Sequence, residues 1–154
     1  MVRKILVMSL FLFFFQTYSQ PSHVQLGISL LGPTGFCGKF WIDGDKAIDA
    51  AFSFSLGEHT NQLYFHSDFL MHEFFKFKVE GGKLPLYWGL GARLQAINNE
   101  VFDDNFFFGA RVPLGVSYIY GETFDVFFEL GPYLNFIPAP SFAIDGAIGF
   151  RFHI

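Results

Sequence analysis

The sequence predicts an all-β chain: eight antiparallel strands wound up and down into a transmembrane barrel. Three observations predict it. First, bulky apolar side chains alternate with small or polar ones from about residue 23 to Ile154, and successive side chains of a strand point to opposite faces. Second, aromatic residues make up 21% of the 154-residue chain, which holds 24 Phe, while charged residues reach only 16%. That is low against the roughly 25% of an ordinary soluble domain, and so much Phe is hard to hide in so small a core. Third, all but one of the segments between turn signals run about 9 to 14 residues, a length that suits a tilted bilayer-crossing strand.

Residues 1–19 read as a secretory signal peptide. Arg3 and Lys4 form a positive start, Ile5 to Phe15 an apolar run too short for a membrane helix, and Thr17-Tyr18-Ser19 a small-x-small cleavage site. Residues 20–154 are then one barrel domain, with no linker or low-complexity tract. Cleavage takes the formal charge from −4 to −6, and with no basic cluster a nucleic-acid partner has no electrostatic footing. The single cysteine, Cys37, lies too far from the cleavage region to carry a lipid anchor and has no partner within the chain. It reads as a small lumen-facing filler.

Turn residues divide the mature chain in order. Strand one covers about 23–31 and stops at Gly32-Pro33-Thr34-Gly35. Strand two, 36–42, ends at Asp43-Gly44-Asp45. Strand three, 47–56, is closed by Gly57-Glu58-His59-Thr60-Asn61, and strand four, 62–75, by the basic loop around Glu80-Gly81-Gly82-Lys83. Strand five, 85–96, precedes the polar loop Asn98 to Asn105. Strand six, 106–119, turns at Gly121-Glu122; strand seven, 124–134, enters a loop with two prolines; strand eight is 141–154. Pro113 and Pro132 fall inside strands of a barrel without a free edge, which leads one to expect local bulges.

Sorted by parity, every strand has one bulky face, exemplified by Phe54, Phe69 and Phe128, and one polar face rich in glycine. The polar face carries Lys39, Asp49, His66, Asp68, Arg93, Arg111, Asp125, Glu129, Asp145 and Arg151. Both signs are present, as buried charges require if they are to be paired. Arg151 is expected to pair with Asp125 and Arg111 to lie near Glu129, with Lys39 and Arg93 finding Asp49, Asp68 or Asp145. The competing architecture is a soluble exported lipocalin-like barrel, which would turn the bulky face inward around an apolar ligand. The glycines of the polar face suit the crowded inside of a narrow barrel better than a solvated surface. An eight-stranded barrel is just filled by its side chains, so the lumen is expected to be plugged rather than open.

Several stretches carry a resemblance: Gly32-Pro33-Thr34-Gly35 with Lys39-Phe40-Trp41, His66 to His72, Leu84 to Gly91, Arg111 to Val116, Phe128 to Pro132 and Gly146 to Arg151. In this order the chain resembles the small eight-stranded outer-membrane barrels of the OmpA/OmpX type. It is similar to a family of uncharacterised outer-membrane barrel proteins of Gram-negative bacteria. The resemblance implies a fold and an outer-membrane location, and no activity. One departure is the C-terminus: such barrels usually end in an aromatic residue read by the insertion machinery, whereas here Phe152 precedes the terminal Ile154 by two places.

Trp88, Tyr118, Tyr120, Phe124 and Phe152 are expected to form an aromatic girdle at one rim of the outward face. His66, Asp68 and His72 share a face of strand four, but residues six apart on a strand are separated by about 20 Å, so a hydrogen-bonded lumen network is expected there rather than a metal site. His23 and His153 are candidates to meet where the barrel closes. Asp103 and Asp104 lack the spaced acidic loop of a dedicated calcium site. No Gly-x-Ser-x-Gly elbow occurs, and Ser67 and His66 point to opposite faces, so no catalysis is expected. No cofactor is expected. The expected partners are outer-membrane lipid and the barrel-assembly machinery during insertion.

Overall fold

The computed structural model describes residues 23–31, 34–57, 60–74, 77–99 and 105–154. The segment 1–19, the Gly32-Pro33 and Glu58-His59 turns, and Asp103 and Asp104 lie outside the described residues.

Among the described residues the chain forms strands β1 (Val24–Leu30), β2 (Gly35–Trp41), β3 (Lys46–Leu56), β4 (Thr60–Glu73), β5 (Lys78–Val79), β6 (Gly82–Lys83), β7 (Leu86–Asn99), β8 (Asn105–Arg111), β9 (Leu114–Tyr120), β10 (Phe124–Ile137) and β11 (Ser141–His153). Every pairing is antiparallel, and β11 pairs with both β10 and β1, so the sheet closes on itself. A closed sheet has no exposed edge to template aggregation.

Eight staves make the barrel: β1, β2, β3, β4, β7, then β8 and β9 in line, β10 and β11. The lower part of β7 pairs with β9 and its upper part with β8. β10 does the same from its other side. The break between β8 and β9 is Val112-Pro113. It is not a bulge. Leu130↔Leu114 and Tyr133↔Arg111 keep one register across it, as do Leu86↔Val116 and Gly91↔Arg111 on the other side. The carbonyl of Pro113 still accepts from Gly89 N–H at 3.0 Å, and that of Pro132 from Val112 N–H at 2.9 Å. Each proline therefore removes a donor but leaves its acceptor in the ladder. The expected bulges at Pro113 and Pro132 are thus corrected: the ladder loses bonds without shifting. The register shift lies higher on the same stave pair, between Asn135 and Ile137.

The basic loop after β4 is also more ordered than its composition suggests. β5 and β6 form a two-residue hairpin at Glu80-Gly81, where Gly81 takes a φ of 81°, a conformation cheap only for glycine. β6 continues stave five downward, pairing Lys83 with Ile119. Staves five and seven extend past the expected ends at 96 and 134, to Asn99 and Ile137.

Parity decides burial over the lower and middle part of every stave. Phe54, Phe69 and Phe128 are 55%, 42% and 48% exposed, and large apolar side chains are exposed all round the outer wall. Gln25, Lys39, Asp49, Asp68, Arg93, Arg111, Asp125, Glu129 and Arg151 are buried inside. The lipocalin-like alternative, which needs the bulky face inside, does not describe this molecule.

Candidate functional site

The lumen is the candidate site. Its lower half, toward His23 and Ile154, is an ionic lattice. Asp49 and Asp68 stand directly opposite each other on β3 and β4, a like-charge pair that would repel if left alone. Each is met by its own arginine. Arg151 bonds Asp49 and, at 3.2 Å, Asp125. Arg111 bonds Asp68 at 2.5 Å and Glu129 at 2.6 Å. Lys39 lies 3.5 Å from Asp125 and 3.2 Å from His72 Nε2. The structure thus pairs Arg151 with Asp125 and Arg111 with Glu129. Lys39, expected at Asp49, Asp68 or Asp145, instead reaches across to Asp125 on β10, sharing that carboxylate with Arg151.

A recurrent device makes these reaches possible. In three places a glycine on the intervening stave lets side chains from the staves on either side meet over bare backbone. Gly91 is the ladder partner of both Asp68 and Arg111. Gly115 is the partner of both Tyr87 and Glu129, whose Oη and Oε2 lie 2.8 Å apart with the tyrosine donating. Gly109 is the partner of both Arg93 and Asn135, joined at 3.2 Å. A Cβ on Gly91 would strike the Asp68 carboxylate, and one on Gly115 the Tyr87 ring. Gly27 plays a similar part for Arg151, its ladder partner, with buried Cys37 next in the row. Parity assigned these residues to the inside; the two-stave reach was missed, and its signal was the inward glycines themselves.

His66, Asp68 and Glu129 bring possible ligand atoms within 4.8 Å of one another. The Arg111 guanidinium spans both carboxylates, so the place a cation would take between them is filled. His66 and His72 do not converge: His66 contacts Tyr64 Oη at 3.2 Å, while His72 stacks among Trp41, Phe74 and Tyr87 at the lower mouth. His153 pairs with Gln25 at 2.7 Å rather than with His23. Arg93 takes the amide oxygens of Asn135 and Gln95 and lies 3.7 Å from the Tyr133 ring centre. Asp145 accepts from Tyr64 Oη at 3.4 Å.

Of the expected girdle, Tyr120, Phe124 and Phe152 lie together at the lower rim, linked through Phe150 by ring separations of 5.3, 5.5 and 4.4 Å. Tyr118 lies against Gly82 of the hairpin. Trp88 is outward but apart, laddered to Met71 and Leu114, the latter six residues before Tyr120.

The chain is similar in structure to the N-terminal β-barrel domain of Pseudomonas aeruginosa OprF, with a TM-score of 0.62 over 84% of this chain and 93% of that one, at 15% identity. It is also similar to Neisserial surface protein A, with a TM-score of 0.52 over 90% and 100% of the two chains, at 12% identity. The fold is the small eight-stranded barrel of the OmpA/OmpX type. No family model matches the sequence, and no curated protein matches it.

Proposed function

We propose that this chain is an exported protein that spans the bacterial outer membrane as a closed barrel, with a plugged ionic lumen and no catalysis, serving envelope structure or the binding of lipid or a partner. The observation that carries this reading is the inverted wall: apolar side chains exposed on every stave around an interior of paired charges. Exposed apolar surface of that extent marks contact with something other than water, and a continuous band of it around a closed barrel matches a bilayer. His23, His153, the Asp43–Asp45 turn and the β5–β6 hairpin share one end, which is the periplasmic one in this reading. The barrel-assembly machinery would insert the chain and outer-membrane lipid would surround it.

Absence of catalysis rests on placement. Ser67 lies on the outer face and His66 on the inner, and the described bonds of His66 and His72 go to Tyr64, Lys39 and the Asp45 carbonyl. Among the described residues no serine, threonine or cysteine is hydrogen-bonded to either histidine. The test is refolding of residues 20–154 with phospholipid vesicles. Expected are a protease-protected barrel that needs detergent or lipid to stay dispersed, and no channel of general-porin size in planar bilayers. Full solubility of the folded chain without amphiphile would refute bilayer insertion, and porin-level conductance would refute the plug.

A further inference from the structure

Above the ionic lattice the lumen opens into a polar cup of about 640 Å³ toward the end opposite His23 and Ile154, bordered by Arg93, Asp145, Tyr64, Tyr133, Gln62 and Ser53 among others. Its volume falls in the range of small-molecule sites, roughly 300–1,000 Å³. The cup differs from the lattice below in how its charges are met. Arg111 and Arg151 each bridge two carboxylates. Arg93 is as deeply buried, at 2% exposed, yet its described hydrogen bonds go to neutral amide oxygens. Tyr64 and Tyr133 hold the guanidinium between rings at 5.1 and 3.7 Å. The remaining charge on the wall is Asp145, half-buried, with Tyr64 Oη donating to one oxygen. Arg93 and Asp145 form no ion pair with each other.

A buried guanidinium without a carboxylate is costly. Here it borders a cavity whose one carboxylate, Asp145, lies near enough to feel the Arg93 charge but makes no contact ion pair with it. We propose that the cup is a binding site for a small zwitterion, its carboxylate taken by Arg93 and its ammonium by Asp145. The neutral amides and hydroxyls of Gln62, Gln95 and Ser53 supply the remaining hydrogen bonds. Fixed rings and buried side chains pre-organise the site, so little ordering is needed on binding. The site rests on the cup's charges alone, so a lumen that conducts would leave it standing, and a failed cup would leave the barrel standing.

The test is calorimetric titration of the folded mature chain in detergent micelles with glycine, β-alanine, 4-aminobutyrate and 5-aminopentanoate, which carry the same two charges at increasing separation. Expected is saturable binding that is strongest at one spacing. N-acetylation or amidation of that probe should weaken it at least about tenfold, since each removes one charge of the pair. Asp145→Asn, at a half-buried site, should lose the preference for the ammonium form. Arg93→Gln should lose the preference for the carboxylate form, with folding checked by the heat-dependent gel shift. No saturable binding by any of the four probes overturns the proposal, meaning the cup holds water only. Equal binding of blocked and free probes, or affinity unchanged in Asp145→Asn, overturns it as well.

Discussion

At the scale of single residues the lumen is governed by what each charge would face if its partner were removed. Arg111 is the only described counter-charge bonded to both Asp68 and Glu129. Arg111→Leu leaves two buried carboxylates unmatched, and a loss of about 3–5 kcal/mol is expected, the usual cost of breaking a buried pair from one side. Urea unfolding of the barrel in phospholipid bilayers measures it, with Lys46→Leu at a half-buried position near the turn as a nearly silent control. The glycine reaches give a second prediction. Gly115→Val forces a side chain into the Tyr87 ring and is expected to cost about 1–3 kcal/mol by overpacking. In a Tyr87→Ala background the same substitution should cost far less. The coupling in a double-mutant cycle reads this directly, and additive losses would show that the ring is not the obstacle.

At the scale of strands, the two prolines show how a closed sheet tolerates missing donors. Pro132 accepts from Val112 across the same gap in which its own N–H is absent. Pro132→Ala restores a donor there without moving the register, so stability should change by no more than about 1 kcal/mol, and the new amide should exchange slowly with solvent. A shifted set of β8–β10 pairings by NMR would contradict the continuous register. The strands were legible in the sequence because alternation and turn residues are local signals. Phe142, Ile144, Ile148 and Phe152 alone nearly outline β11. What was not legible depended on distance across the lumen. Asp125 next to Arg151 follows from hairpin register, since the two are ladder partners. Lys39 to Asp125 and Arg151 to Asp49 do not, because they join staves far apart in the sheet and depend on side-chain reach. The girdle was only partly legible for the same reason: Tyr120, Phe124 and Phe152 are laddered neighbours, whereas Trp88 sits on a stave whose offset the sequence does not state.

At the scale of the whole molecule, the inverted wall makes the two faces respond oppositely to charge. Leu130 is exposed on the outer face and Glu129 is buried beside it on the inner one. If the barrel sits in a bilayer, Leu130→Arg should cost about 2–4 kcal/mol near mid-depth, measured in phospholipid vesicles. In a detergent-free aqueous protein the same exposed change would be close to neutral. The experiment therefore bears on placement as well as on stability.

The glycine crossings carry a consequence for how such a sequence can drift. Asp68, Gly91 and Arg111 lie on three consecutive staves yet behave as one unit, as do Tyr87, Gly115 and Glu129, and Arg93, Gly109 and Asn135. A homologue that places alanine at the middle position must shorten or turn away at least one outer member, and one that loses an outer member frees the middle. Substitutions in related barrels should therefore appear as correlated triplets, linking each outer member to the glycine and also the two outer members, which are not neighbours in the sheet, to each other. A contact map inferred from such covariation would show chords across the barrel in addition to its ladders, and those chords would locate the lumen without any structure.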